Sequence, residues 1–92
     1  MSTAMCSGDP EGGWWVYILL CEDGSFYTGI ARDVRKRFVA HQRGKGARYT
    51  KAHKPVEIWC QFGPFSHRSA LQEEIRLKKL SHDAKEALKA VV

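Results

Sequence analysis

The sequence predicts an α+β domain: a small three-stranded antiparallel sheet flanked by helices, in the order β-β-α-β-α-α. Three observations lead to it. An aromatic and β-branched run, Trp14 to Cys21, is joined to a second, Phe26 to Ala31, by a turn with Asp-Gly at its centre. Val34, Arg37, Phe38 and His41 then fall at i, i+3, i+4 and i+7, one face of a helix. A third apolar run, Val56 to Phe62, precedes two serine-led helical stretches.

Met1 to Gly13 mixes Ser, Gly, Asp and Pro and is expected to be a flexible tail, so residues 14–92 form the single domain. Asp23-Gly24 closes the first hairpin. Gly29 interrupts the second strand, as glycine does at a bulge or a close backbone approach. Asp33 caps a first helix running to about Arg43, with Gly44 as its stop. Residues 44–55 (GKGARYTKAHKP) are polar and basic and read as a loop. Gly63-Pro64 is expected to end the third strand. Ser66 or Ser69 caps the next helix, whose apolar positions are Ala70, Leu71, Ile75, Leu77 and Leu80. Ser81 caps a short terminal helix from His82 to about Ala90.

Ninety-two residues suit one domain with a small core and no large enclosed cofactor site. With 43% hydrophobic and 27% charged residues, the chain is neither disordered nor fibrous. No apolar run approaches the ~18 residues of a membrane span. The first residues hold neither a basic start nor an apolar block, so no signal peptide is expected. Three cysteines (Cys6, Cys21, Cys60) form no C-x-x-C pair and no disulfide framework, and the four histidines show no zinc spacing with them. The expected compartment is the cytoplasm.

Charge narrows the function. The net charge of +5 is unevenly spread: Arg32 to Lys54 holds nine basic residues and one acid, Asp33. Such a field suits a polyanion, nucleic acid or an anionic surface. Arg35, Lys36, Lys45, Arg48 and Lys51 are the candidate phosphate contacts.

Several polar residues stand where apolar ones are expected. Arg37 and His41 share the inward helix face with Val34 and Phe38; Glu74 lies beside Leu71 and Ile75; Tyr17 and Tyr27 lie on paired strands. Buried charge is costly unless paired or ligated. Arg, His, Glu and two Tyr converging at a cleft edge can clamp a phosphate, move a proton and hold a divalent metal. Each has a plainer explanation too. Tyrosines are routinely half-buried, Arg37 can snorkel, and Glu74 is spaced to pair with Lys78.

The motifs Trp15-Val16-Tyr17 and Tyr27-Thr28-Gly29, ten residues apart at their tyrosines, precede Arg37 and His41 in YTGIARDVRKRFVAH. Together they resemble the GIY-YIG nuclease domain. DGSFYTG and GKGARYT are similar to the corresponding motifs of its small stand-alone bacterial members, and the likeness runs from Trp14 to the C-terminus. The resemblance implies a nuclease that hydrolyses phosphodiester bonds, in DNA, and an association with DNA repair. It implies that Tyr17 acts as general base or positions the water, that Tyr27 orients phosphate or nucleophile, and that Gly29 permits tight packing at the site. By the same resemblance Arg37 stabilises the phosphate charge, His41 assists proton transfer, and Glu74 binds one divalent metal, Mg²⁺ or else Mn²⁺. A tyrosine base needs its pKa brought down from about 10, which Arg37, Lys36 or the metal is expected to do. The motifs depart from the family in reading Trp-Val-Tyr and Tyr-Thr-Gly. The chain also contains no asparagine, where many family nucleases carry a late one; Lys78, Lys79 or His82 can take that space. The alternative is a nucleic-acid-binding module of the same fold, with Trp14, Tyr49 or Trp59 stacking on bases, and a third class is a protein-docking domain. Larger family members carry a separate recognition domain, so targeting by a partner protein is compatible with this short chain.

Overall fold

The computed structural model describes residues 13–90. The tail expected over residues 1–13, and Cys6 with it, lies outside the described residues except for Gly13. Strand β1 (Trp14–Cys21) is the centre of the sheet, with β2 (Phe26–Ala31) on one side and β3 (Pro55–Phe65) on the other, all antiparallel. Helices α1 (Val34–Gln42) and α2 (Arg48–Ala52) lie between β2 and β3; α3 (His67–Lys78) and α4 (His82–Ala87) follow, and a 3₁₀ turn covers Leu88–Ala90. The fold class and element order match the sequence expectation.

Side chains of β1 alternate between two faces, as a pleated strand requires. Tyr17 and Leu19 pack with Ala31, Val34, Phe38, Tyr27 and Ile58 under α1. Val16 packs on the opposite face with Ala70 and Leu77 of α3, and with Phe62, Phe65 and Leu80. The central strand is therefore apolar on both faces, and Val16, Ile18 and Leu19 are fully buried. Burial of one such side chain contributes about 1.5–3 kcal/mol.

The caps explain the helix limits. The Asp33 carboxylate accepts from Lys36 N at 3.0 Å and starts α1. Gly44, at φ +75°, follows Arg43 and lets the chain turn away. Ser66, not Ser69, caps α3, accepting from Ser69 N at 3.1 Å. Ser81 caps α4 as expected, but the α-helix stops at Ala87 and tightens into the 3₁₀ turn.

Three expectations are corrected. The segment 44–55 is not all loop: Arg48–Ala52 forms α2, which has no side-chain cap and so left little trace in the sequence. Strand β3 passes through Gly63-Pro64 to Phe65. It is an edge strand, where proline is tolerated, and the pairing with β1 shifts register between Trp14–Phe65 and Val16–Phe62 to absorb it. Leu71 and Ile75 of α3 are exposed; the inward face is instead the Ala70, Glu74, Leu77 stripe, spaced at i, i+4 and i+7.

Cys21 and Cys60, in the apolar runs of β1 and β3, are buried free thiols. Burial raises both, Cys60 to about 11. No helix among the described residues is long and apolar enough to cross a membrane.

Candidate active site

The hairpin register sets the site. Tyr17 of β1 lies opposite Gly29 of β2, and Leu19 lies opposite Tyr27. A Cβ on Gly29 would stand 2.6 Å from Tyr17 Oη and 3.1 Å from Tyr27 Cε2. Gly29 thus leaves beside the hydroxyl a space that a methyl group would fill.

From α1, His41 comes down on the same sheet face. Its Nε2 is 2.8 Å from Tyr17 Oη, and both residues are buried. Its Nδ1 is 2.7 Å from Thr50 Oγ1 of α2, and that hydroxyl donates to Ala47 O at 2.9 Å. A Cβ on Gly46 would fall 2.0 Å from His41 Nδ1, so only glycine lets this loop close on the imidazole. The aromatic column continues outward. Tyr27 sits 5.0 Å from the His41 ring and stacks on Tyr49 at 6.1 Å, which stacks on His53 at 4.2 Å.

Burial holds His41 down to about 4, with the Arg37 charge adding to the effect, so the ring is neutral at pH 7. Burial pushes the Tyr17 phenol far above its ordinary value. Nearby Tyr27 adds to this, Arg37 opposes it, and Glu74 raises it further. Arg37 lowers it, as expected, but desolvation outweighs that positive charge, and Lys36 is not among the groups that act on it.

Arg37 leaves from the helix face that carries Val34 and His41, as its spacing predicts, and its guanidinium donates a hydrogen bond to the Tyr17 hydroxyl. Arg37 is exposed and lines a cleft of about 410 Å³ with Trp14, Ile30, Ala31, Lys36 and Ala40. Its long side chain reaches solvent from the helix face that carries His41. Arg32 and Asp33 complete the rim. Of the candidate phosphate contacts only Lys36 lines this cleft; Arg35, Lys45, Arg48 and Lys51 are exposed elsewhere on α1, the following loop and α2.

Glu74 comes from α3, the helix on the opposite sheet face. It is half-buried and lies 3.4 Å from Lys78 Nζ, the helical ion pair its spacing allowed. Its charge still acts on the Tyr17 phenol. Among the described residues, the one convergent group of three ligand-type side chains is His82, Asp83 and Glu86 of α4, all exposed, and it excludes Glu74. A single carboxylate fits a Mg²⁺ ion that takes its remaining ligands from water and substrate phosphate; it does not fit a preformed protein cage. Of the aromatic candidates, Trp59 is occupied, donating to Lys85 O at 3.0 Å beneath Lys89. Trp14 lies under Arg32 and beside His67, and Tyr49 has an exposed ring.

The GIY-YIG catalytic domain family matches residues 13–87, nearly all of the described chain. The chain belongs to the GIY-YIG family. Its relatives are small bacterial proteins of the UPF0213 group. One from Cupriavidus pinatubonensis is 45% identical over 71 residues, covering 77% of this chain and 79% of the relative. One from Neisseria meningitidis serogroup C is 43% identical over 75 residues, covering 82% of each. The solution structure of a UPF0213 protein from Bacillus halodurans is similar with a TM-score of 0.51 and 40% identity, over 85% of this chain and 83% of that one. Within this GIY-YIG domain, Thr50 and Gly46 are the site residues that sequence reasoning missed. Both lie in GKGARYT, whose last residues enter a five-residue helix with no side-chain cap to mark it.

Proposed function

We propose that this protein is a metal-dependent nuclease that hydrolyses phosphodiester bonds in DNA, with low intrinsic sequence specificity. The observation that supports it best is the buried Tyr17–His41 hydrogen bond beside Arg37, the residue that also lines a cation-rimmed cleft, in a chain of the GIY-YIG catalytic domain family. A phenol this far above its ordinary pKa is a poor base alone and needs an acceptor for its own proton. His41 is that acceptor. As water attacks phosphorus, its proton passes to Tyr17 Oη while the Tyr17 proton passes to the imidazole.

The P–O bond to the leaving group breaks, and the leaving alkoxide is protonated from solvent. Arg37 faces the negative charge that develops on the phosphoryl oxygens, the largest demand of such a reaction. Tyr27, packed on the imidazole, limits the ring's tilt and presents its half-buried edge to the substrate. Lys36 and Arg37 hold the strand in the cleft by its phosphates, contacts that position without reading sequence. Glu74 is the residue that would hold a divalent ion, which neutralises charge on the leaving oxygen when bound.

A cleavage time course with Mg²⁺ or Mn²⁺ tests this, using single-stranded, duplex and branched DNA and RNA at low salt. Wild type and Glu74→Ala are purified identically. Cleavage by wild type that disappears in the variant supports the reading. Equal behaviour of the two with DNA still bound returns the protein to a binding module.

A further inference from the structure

We infer that Thr50, on α2, is a positioning residue that fixes the tautomer of His41 and with it the direction in which Tyr17 gives up its proton. The inference deepens the nuclease reading and, for its catalytic consequence, rests on it.

The geometry supplies the logic. A threonine hydroxyl has one hydrogen to donate. Thr50 spends it on Ala47 O at 2.9 Å. Toward His41 Nδ1, 2.7 Å away, Thr50 Oγ1 is therefore an acceptor, and Nδ1 must carry the imidazole hydrogen. A neutral ring has only one, so Nε2 is bare and accepts from the Tyr17 hydroxyl at 2.8 Å. The result is a chain with one polarity: Tyr17 O–H to His41 Nε2, His41 Nδ1–H to Thr50 Oγ1, Thr50 O–H to Ala47 O.

One contact opposes it. Ala47 N points at His41 Nδ1 from 3.4 Å, which would favour a bare Nδ1. That distance lies beyond the ordinary N–H range, whereas the Thr50 contact lies inside it, so the hydroxyl decides. With Nδ1 bare instead, Nε2–H would point at the phenol and Tyr17 would have no acceptor for its proton. Which ring nitrogen is protonated is commonly set by the bond the other one makes. In this site that bond comes from a helix of five residues whose only buried side chain is Thr50. Gly46, pressed against the same nitrogen, keeps the loop close enough for the contact to form.

The test is long-range proton–nitrogen NMR on ¹⁵N-labelled full-length protein at pH 7, with cleavage kinetics in parallel. Wild type is expected to show His41 as the Nδ1–H tautomer. Thr50→Val keeps the shape and removes the hydroxyl; it is expected to shift His41 toward Nε2–H and to lower kcat at least about tenfold, with KM unchanged. Thr50→Ser is expected to restore both. A wild-type His41 in the Nε2–H form overturns the inference without any variant. So does a Thr50→Val protein that keeps the Nδ1–H tautomer, whatever its activity. A wild type that cuts nothing, yet shows the tautomer change in Thr50→Val, supports Thr50 as the positioner of His41 and contradicts the nuclease reading alone.

Discussion

The Tyr17 hydroxyl lies 2.8 Å from His41 Nε2, with both side chains buried between the sheet and the first helix. A strand residue and a helix residue 24 positions apart are joined there by one buried hydrogen bond. Neither group is charged at neutral pH, which is why burial is tolerated.

That neutrality has a pH signature. Folding holds His41 down to about 4, below its ordinary 6.5. The unfolded chain binds more protons between these values, so stability rises with pH across that window. His41 leaves the folded state undisturbed above about 6.5 and disfavours it increasingly as pH falls toward 4, by roughly 3 kcal/mol in all. Thermal melts from pH 4 to 8 are expected to show this slope in wild type and a flatter one in His41→Gln. Asp23, held down to about 2, acts at still lower pH and leaves this window clear.

Gly29→Ala and Gly46→Ala each place a methyl within 2.6 Å of a site atom, the Tyr17 hydroxyl and His41 Nδ1 respectively. Overpacking of this kind costs about 1–3 kcal/mol. Both variants are expected to melt lower and to lose cleavage beyond what the fraction unfolded explains. Denaturant titration beside activity at a temperature where both remain folded separates the two effects.

Arg37 is exposed and Tyr17 keeps its hydrogen bond to His41 without it, so Arg37→Ala is expected to cost no more than about 1 kcal/mol of stability. Its loss removes charge stabilisation from the reaction, expected to lower kcat about 10²–10³-fold with a smaller effect on DNA affinity. Equal losses in kcat and affinity, measured by single-turnover kinetics and equilibrium binding, would make Arg37 an ordinary phosphate contact.

DNA affinity is expected to fall steeply with salt, since phosphate contacts supply the binding. Removing one such contact, as in Lys36→Ala, is expected to reduce the slope of log K against log salt by about 1. A salt-independent affinity contradicts phosphate-led binding.

The sheet and its flanking helices were legible because their signals are local. Asp-Gly fixed the hairpin, Asp33, Ser66 and Ser81 marked helix starts, and apolar runs marked strands. The site was legible only in part. Tyr17, Tyr27, Gly29, Arg37 and His41 fall in adjacent motifs, so a single hairpin and helix bring them together. Thr50 and Gly46 were missed because α2 is short and lacks a side-chain cap, and its one buried side chain has no periodic partner. The outward turn of Leu71 and Ile75 is not legible in the sequence because two phases of α3 offer apolar residues. Docking on the sheet selects the one carrying Ala70 and Leu77, which reach Val16.

The most direct measurement is metal-dependent cleavage of DNA by wild type and Tyr17→Phe, purified side by side and shown by melting to be folded. Phenylalanine keeps the ring and deletes the oxygen bonded to His41. The account predicts that wild type cuts with Mg²⁺ or Mn²⁺ and not with chelator, and that Tyr17→Phe binds DNA but does not cut it. Cleavage by Tyr17→Phe at the wild-type rate, or intact DNA under every condition with wild type, would contradict it.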